Sequence, residues 1–228
     1  MQELYSQSQT LATGRSQEVS KVLRNTYTLL AMTLTFSAVT AGLAMAVNIG
    51  YGASLLMSIG ALVLVWFVLP RTANSSAGIW TVFGFTGLLG ASLGPMLNYY
   101  VAAGAGNIVL QALGGTALVF FALSGYVLTT GKDFSFMRGF LVTGIIALIV
   151  VMLGSFVMGM FGVEISGLSL AISGVAVLLF SGFILYDTSR IIHGGETNYI
   201  MATTALYLDI YNLFVHLLHI LGSLSGND

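Results

Sequence analysis

Two carboxylates near the end of the chain are the residues best placed to do chemistry. Asp187 lies in the apolar segment FILYDTSRIIH and Asp209 in the apolar segment ALYLDIYNLFVHLLHILG, with the polar turn GGETN between them. If both segments cross a membrane antiparallel, Asp187 lies six residues inside from His193, and Asp209 ten residues inside from Tyr199. At about 1.5 Å per residue these depths are roughly 9 and 15 Å. Ionisable side chains inside a bilayer are costly and usually mark a functional path, so the similar depths predict a functional pair.

The chemistry of such a pair follows from its charge. Two carboxylates close together in a low dielectric cannot both ionise cheaply, so we expect them to share one proton at acidic pH. Deprotonation would push the two helices apart, whereas a cation would favour the doubly charged form. Ca²⁺ prefers carboxylate oxygens but usually takes about six to eight oxygen ligands, so a Ca²⁺ site at Asp187 and Asp209 would be weak. Water or backbone carbonyls would complete it. A purely structural hydrogen-bonded pair is the alternative.

A polar stripe continues from the second acid. Asn212, His216 and His219 follow Asp209 at i+3, i+7 and i+10, which places all four on one face of a helix. A membrane helix that is polar along one side is expected to face the interior of a bundle. Interhelical hydrogen bonding or a proton relay accounts for the stripe better than a metal site at the two histidines, because no third ligand is evident.

The composition supports the membrane premise. The 228 residues are 57% hydrophobic and 7% charged, with a mean hydropathy of +0.94, against about 25% charged residues in an ordinary soluble domain. The chain is therefore predicted to be an all-α integral membrane protein in a lipid bilayer, since no strand-type alternation indicates a barrel. The absence of cysteine excludes disulfides and a thiol nucleophile. A net charge of −1 offers no basic surface for nucleic acid.

Seven segments are long enough to supply the roughly 20 apolar residues that a bilayer core requires. Their predicted limits are 26–47, 51–69, 79–101, 108–128, 140–161, 168–190 and 199–222. The polar residues 1–25 are predicted to form a mobile tail, and residues 26–228 the transmembrane domain. Pro70 is expected to end the second span, and Gly94-Pro95 to kink the third.

Small residues predict close helix packing at two places. The third span carries Gly87, Gly90, Ala91 and Gly94 at spacings of three and four, and the fourth carries Gly114 and Gly115. Small side chains let transmembrane helices approach closely.

The basic residues predict the orientation. They lie before the first span, between spans two and three, between spans four and five, and at the end of span six: Arg15, Lys21, Arg24, Arg71, Lys132, Arg138 and Arg190. All seven fall on one side of the membrane, which the positive-inside rule makes cytoplasmic. The N-terminus is therefore predicted to be cytoplasmic and the C-terminus to lie on the opposite side.

Three separated motifs resemble the Bax inhibitor-1 (TMBIM) family. They are the Gly-Pro of span three with the box TALVF at 116–120, the ILYD at 184–187, and the LYLDIYNLF at 206–214. The resemblance covers essentially the whole chain. The strings VLRNTYTLL, TGKDFSF and HGGETNYI look most like the bacterial branch that is described as modulating the FtsH protease.

This resemblance implies a seven-helix fold whose last helix is central, in the cytoplasmic (inner) membrane of a bacterium. It also implies that Asp187 and Asp209 act as a pH-sensitive latch on a calcium leak. The family's calcium-leak members place an Arg at the cytoplasmic end of span two. Arg71 is the candidate for that role, although the connection PRTANSS differs in length. No bound cofactor is implied; Ca²⁺ would be a transported or sensed ion.

Three classes of function remain open. The first is a non-enzymatic, ion-conducting or ion-sensing leak gated by the two acids. The second is an interaction protein whose residues 1–25 engage an FtsH-type, ATP-dependent membrane protease. The third is an intramembrane aspartyl protease, which also places one Asp on each of two adjacent helices. It is disfavoured because Leu206-Tyr207-Leu208-Asp209 stands where Gly-x-Gly-Asp is expected and because the Pro-Ala-Leu motif is absent.

Overall fold

The computed structural model describes the backbone of residues 2–163, 165 and 167–226, and the side chains of residues 17–163, 165 and 167–226. These residues form helices joined by short turns, and no strand occurs among them. The helices are α1 (Gln2–Ala46), α2 (Tyr51–Thr72), α3 (Ser76–Ala102), α4 (Gly106–Thr130), α5 (Ser135–Met160), α6 (Leu168–Ile192) and α7 (Tyr199–Ser225).

The described part of the chain contains seven helices that are long and apolar enough to cross a membrane, the first of them over Gln17–Ala46. Large apolar side chains cover their outer faces, as at Leu178, which is 74% exposed, and Phe140, which is 70% exposed. Such a surface is stable only in a lipid environment, because water penalises extended apolar area. The predicted all-α, seven-span fold is confirmed.

The N-terminal segment differs from the prediction in its conformation. Helix α1 begins at Gln2, so residues 17–25, part of the predicted mobile tail, belong to a continuous helix. Val19, Val22 and Leu23 are half-buried there, and Thr26 is fully buried. The first membrane helix thus starts earlier than its polar sequence suggested, because these three apolar residues share one face. The side chains of residues 1–16 lie outside the described residues, and the mobility of the tail stays a prediction.

The second span does not stop at Pro70. Helix α2 runs over Tyr51–Val63, widens into a π-helical turn over Leu64–Val68, and closes with the turn Leu69–Thr72, which includes the proline. The N–H of Leu69 donates to the carbonyl of Leu64, five residues back. Pro70 has no backbone N–H to donate, and its ring would clash with the preceding turn of a regular α-helix. The wider π-helical turn directly before it changes the hydrogen-bond register, so the helix continues.

The glycines of α3 pack against α1. An ideal Cβ on Gly87 would lie 2.7 Å from Cε1 of Phe36, and one on Gly94 would lie 2.9 Å from Cβ of Ala44. The predicted close packing is therefore present at this face. It is absent on α4, where a Cβ on Gly114 would meet nothing within 4 Å and one on Gly115 would make an ordinary 3.7 Å contact with Leu217.

The third span is interrupted where Gly94-Pro95 predicts a kink. Helix α3 consists of Ser76–Ser92 and Gly94–Ala102, with an interruption at Leu93, directly before Gly94-Pro95.

The chain divides into two compact units. The first contains Met1–Gly94 and Arg190–Tyr207, and the second contains Pro95–Ser189 and Leu208–Asp228. Helix α7 contributes to the core of each: Leu206 is fully buried in the first unit, and Leu213 and Leu218 are fully buried in the second. The two acids of the predicted site both belong to the second unit.

Candidate functional site

The turn between α6 and α7 fixes where the last helix starts. The Asn198 side chain caps α7, because its Oδ1 accepts from the N–H groups of Ile200 at 2.9 Å and Met201 at 3.2 Å. Its Nδ2 donates to the Ala73 carbonyl at 3.0 Å and to Oδ1 of Asn74 at 2.8 Å. One side chain thereby caps the helix and ties its first turn to the connection between α2 and α3. Within the same turn, Arg190 and Glu196 form an ion pair at 3.2 Å.

The structure brings Asp187 and Asp209 together. Asp187 is 8% exposed and Asp209 is 5% exposed, and their side chains lie within hydrogen-bonding reach of each other. A carboxylate has no donor, so a hydrogen bond between two carboxyl groups requires one of them to carry a proton. The contact between Asp187 and Asp209 thus suits a pair that holds at least one proton between α6 and α7.

One carboxyl oxygen of the pair is free to accept a further hydrogen bond. Oδ2 of Asp209 is buried and has no hydrogen-bond partner among the described residues. A buried acceptor without a donor is costly, and it is relieved by a proton, a water molecule or a cation. No group of three or more His, Cys, Asp or Glu side chains that could hold a metal occurs among the described residues. Two carboxyl groups supply fewer oxygens than the roughly six to eight that Ca²⁺ usually takes.

Hydroxyl groups next to Asp187 connect α6 to its neighbours. Thr188 Oγ1 donates to Ser124 Oγ on α4 at 3.3 Å, and both residues are buried. Ser189 Oγ accepts from the N–H of Phe134 at 2.9 Å, which holds the TGKDF turn against α6 two residues beyond Asp187. The two serines were missed in the sequence, because nothing in an apolar run marks which hydroxyl meets a partner on another helix. The only available signal was the polar cluster DTSR itself.

The predicted polar stripe lies at intermediate burial. Asn212 donates through Nδ2 to the Leu208 carbonyl of its own helix at 2.8 Å. His216 and His219 both contact one hydroxyl on α6: Ser173 Oγ lies 3.2 Å from Nδ1 of His216 and 3.1 Å from Nδ1 of His219. Sequence reasoning found the two histidines and missed Ser173, their shared partner.

Arg71 contacts its own helix. It belongs to the first unit, lies exposed at the end of α2, and donates through Nη1 to the Phe67 carbonyl of its own helix. A role for Arg71 in gating stays a prediction from the resemblance.

Comparison with known proteins identifies the family. The family described as Inhibitor of apoptosis-promoting Bax1 matches residues 19–226. An Escherichia coli K12 protein named Modulator of FtsH protease YccA is 50% identical over 202 residues, which cover 89% of this chain and 90% of that protein. A protein of E. coli O6:H1 with the same identity and coverage is named Inner membrane protein YccA. A Vibrio cholerae protein named only as a membrane protein is 50% identical over 222 residues, which cover 97% of both chains. The chain belongs to the Bax inhibitor-1 family.

Proposed function

We propose that this protein is a pH-sensitive cation leak, with Ca²⁺ as the leading candidate ion, in which the Asp187–Asp209 pair acts as the gate. The observation that carries the proposal is the close approach of two buried carboxyl groups, which can be joined by a hydrogen bond only while at least one of them holds a proton. The singly protonated pair joins α6 to α7 and corresponds to the closed form. Loss of the proton replaces a hydrogen bond with repulsion between two buried charges, which separates the helices.

The same electrostatics gives the direction of each effect. Protons stabilise the joined form, so the flux is expected to rise as the pH rises through the titration range of the pair. A divalent cation stabilises the doubly ionised form, so it competes with the proton. Ca²⁺ and protons therefore bias one two-state element in opposite directions.

Cation flux through the purified protein in liposomes tests this proposal. With a Ca²⁺ gradient and a trapped Ca²⁺ indicator, we expect protein-dependent Ca²⁺ entry that increases from acidic to alkaline pH. The expected rise is about tenfold, within the usual range of coupling between two sites. Protein-free liposomes of the same lipid provide the background at each pH. A Ca²⁺ entry equal to that background at every pH would remove conduction from the proposal.

A second function concerns a membrane protease. The relative from E. coli K12 is named as a modulator of FtsH protease, and the identity between the two chains favours the same role here. We propose that the protease binds the polar segment 1–25. This segment suits engagement by an ATP-driven protease because it contains no extended apolar run. In this role the protein modulates a protease without being one, and it resides in the bacterial inner membrane with its N-terminus cytoplasmic.

Deletion of residues 2–16 tests the protease role. The deletion ends there because the membrane-crossing part of α1 starts at Gln17 and buries Thr26 further on. We expect the shortened protein to lose most of its effect on substrate degradation by an FtsH-type protease in co-reconstituted vesicles, and to become more resistant to degradation itself. Its Ca²⁺ flux should be unchanged.

The matched control replaces residues 2–16 with the same residues in scrambled order. If a flexible polar segment alone is needed, the scrambled chain restores modulation; if a specific sequence is needed, it does not. Unchanged modulation by the deleted chain would place the contact elsewhere.

A further inference from the structure

One hydroxyl on α6 lies between two imidazoles on α7. Ser173 is 4% exposed, and its Oγ lies within hydrogen-bond distance of Nδ1 of both His216 and His219. The His216 ring also stacks on Phe180 of α6, with 6.3 Å between ring centroids and 15° between ring planes. Stacking and the shared hydroxyl together fix the position of the His216 ring.

The proton count of the hydroxyl limits how the two rings can be arranged. A serine hydroxyl has one proton to donate and lone pairs to accept with. It can accept from both rings, or it can donate to Nδ1 of one histidine and accept from Nδ1–H of the other. Only the second arrangement gives the hydroxyl proton an acceptor within the cluster. That arrangement is directional, and moving two protons through Oγ reverses its direction. Two arrangements of equivalent hydrogen bonding are what a proton wire requires.

We propose that His219, Ser173 and His216 form a proton relay in the second unit, between the Ser225 end of α7 and the level of the acid pair. In the inward direction, Nε2 of His219 takes up a proton, and Nδ1–H of His219 passes its proton to Oγ of Ser173. The Ser173 proton moves to Nδ1 of His216, and Nε2 of His216 releases a proton inward. One proton enters and one leaves, and exchange of the ring protons resets the cluster.

The groups around the relay suit this role. On α3, the Tyr100 hydroxyl donates to the Leu218 carbonyl at 3.3 Å, beside His219. Helix α4 meets this part of α7 through Gly115, which has no ionisable side chain. The acids on the inward side are Asp187 on α6 and Asp209, seven residues before His216 on α7, which is roughly 10 Å along the helix.

That a relayed proton reaches the gate rests on the proposed function, but the relay itself does not. A relay changes the rate at which protons arrive and leaves the equilibrium unchanged. Removing it should therefore leave the steady-state pH profile of cation flux intact and slow the response to a sudden change of pH. Neutralising the gate should abolish the pH dependence of the steady-state flux and leave the speed of proton arrival unchanged.

Nitrogen NMR of the imidazoles tests the proton arrangement directly. The chain has three histidines, and His193 lies outside the relay as an internal reference. With ¹⁵N-histidine-labelled protein at a pH where the rings are neutral, we expect one of His216 and His219 to carry its proton on Nδ1 and the other on Nε2. Two rings with the same tautomer in the wild-type protein would overturn the relay.

A pH step across proteoliposomes tests the transfer. With a trapped pH-sensitive dye and an external acid step, Ser173→Ala should slow protein-dependent proton entry by about tenfold or more, as for loss of a positioned acid–base group. Ser173→Thr retains a hydroxyl and should restore the rate. Ser155→Ala is the matched control, because the Ser155 hydroxyl bonds only the Val151 carbonyl of its own helix in α5.

The outcomes separate the two proposals. The relay is wrong if proton entry into liposomes with the Ser173→Ala protein is as fast as with the wild type. It is also wrong if proton entry with the wild type does not exceed that into protein-free liposomes. If wild-type proton entry depends on Ser173 while Ca²⁺ flux is absent or insensitive to pH, the relay stands and the proposed gate fails.

Discussion

Asp187→Asn and Asp209→Asn are each expected to abolish the dependence of cation flux on pH and to hold the flux at its acidic value. An amide in place of one carboxyl donates an N–H to the remaining carboxylate at every pH, so it imitates the shared proton permanently. The buried hydrogen bond between α6 and α7 then persists where the wild-type pair would repel. The variants should lose the whole alkaline rise, about tenfold or more in liposome Ca²⁺ entry at alkaline pH.

Asp133→Asn is the matched control for these substitutions. Asp133 lies exposed in the turn before α5, and its Oδ1 accepts from the N–H of Ser135 at 2.8 Å and from Oγ of Ser189 at 3.4 Å. An asparagine retains that acceptor and changes the charge outside the pair, so the pH profile should stay as in the wild type. If Asp187→Asn and Asp209→Asn proteins fold normally and still show the full alkaline rise, the pair is structural and the gate lies elsewhere.

The depth argument explains why the acid pair could be predicted from the sequence. Two apolar segments joined by a short turn must run antiparallel, and counting from the turn places Asp187 and Asp209 at similar depths. The two acids then meet only if their side chains face each other. The stripe of Asn212, His216 and His219 indicated which face of α7 points to the bundle interior. The seven spans were predictable for the same reason, because length and apolarity are enough to identify a membrane helix.

The partners of those residues were not predictable. Ser173, Ser124 and Ser189 lie in apolar or mixed stretches like many others in the chain, and their roles depend on how each helix is rotated about its axis. Rotation is set by interhelical packing, which a single sequence does not encode in any local pattern. The π-helical turn before Pro70 was missed for a related reason: a proline predicts a local defect, and the widened turn that absorbs it depends on the neighbouring residues.

The side chain of Tyr207 connects three helices of the first unit. It is 1% exposed, and its hydroxyl lies 2.6 Å from Oγ of Ser37 on α1 and donates to the Thr86 carbonyl on α3 at 3.2 Å. Its ring packs edge-on against Phe85, with 5.4 Å between centroids. A residue that joins α7 to both α1 and α3 should contribute far more to stability than its single hydrogen-bonding group suggests.

Tyr207→Ala is therefore expected to lower the free energy of unfolding by roughly 3–5 kcal/mol, the usual cost of removing a buried aromatic side chain. For a chain of this size that corresponds to a fall of about 10 °C in Tm. Tyr207→Phe keeps the ring and removes only the hydroxyl, so it should cost roughly 1–3 kcal/mol, because the Ser37 hydroxyl and Thr86 carbonyl lose a buried partner.

Both tryptophans of the chain, Trp66 and Trp80, belong to the first unit, so the temperature dependence of their fluorescence in detergent reports its unfolding. Tyr51→Ala, at a side chain that is 70% exposed, should leave the transition in place. Equal shifts for the variants at positions 207 and 51 would show that the stability of the first unit does not depend on the contacts of Tyr207.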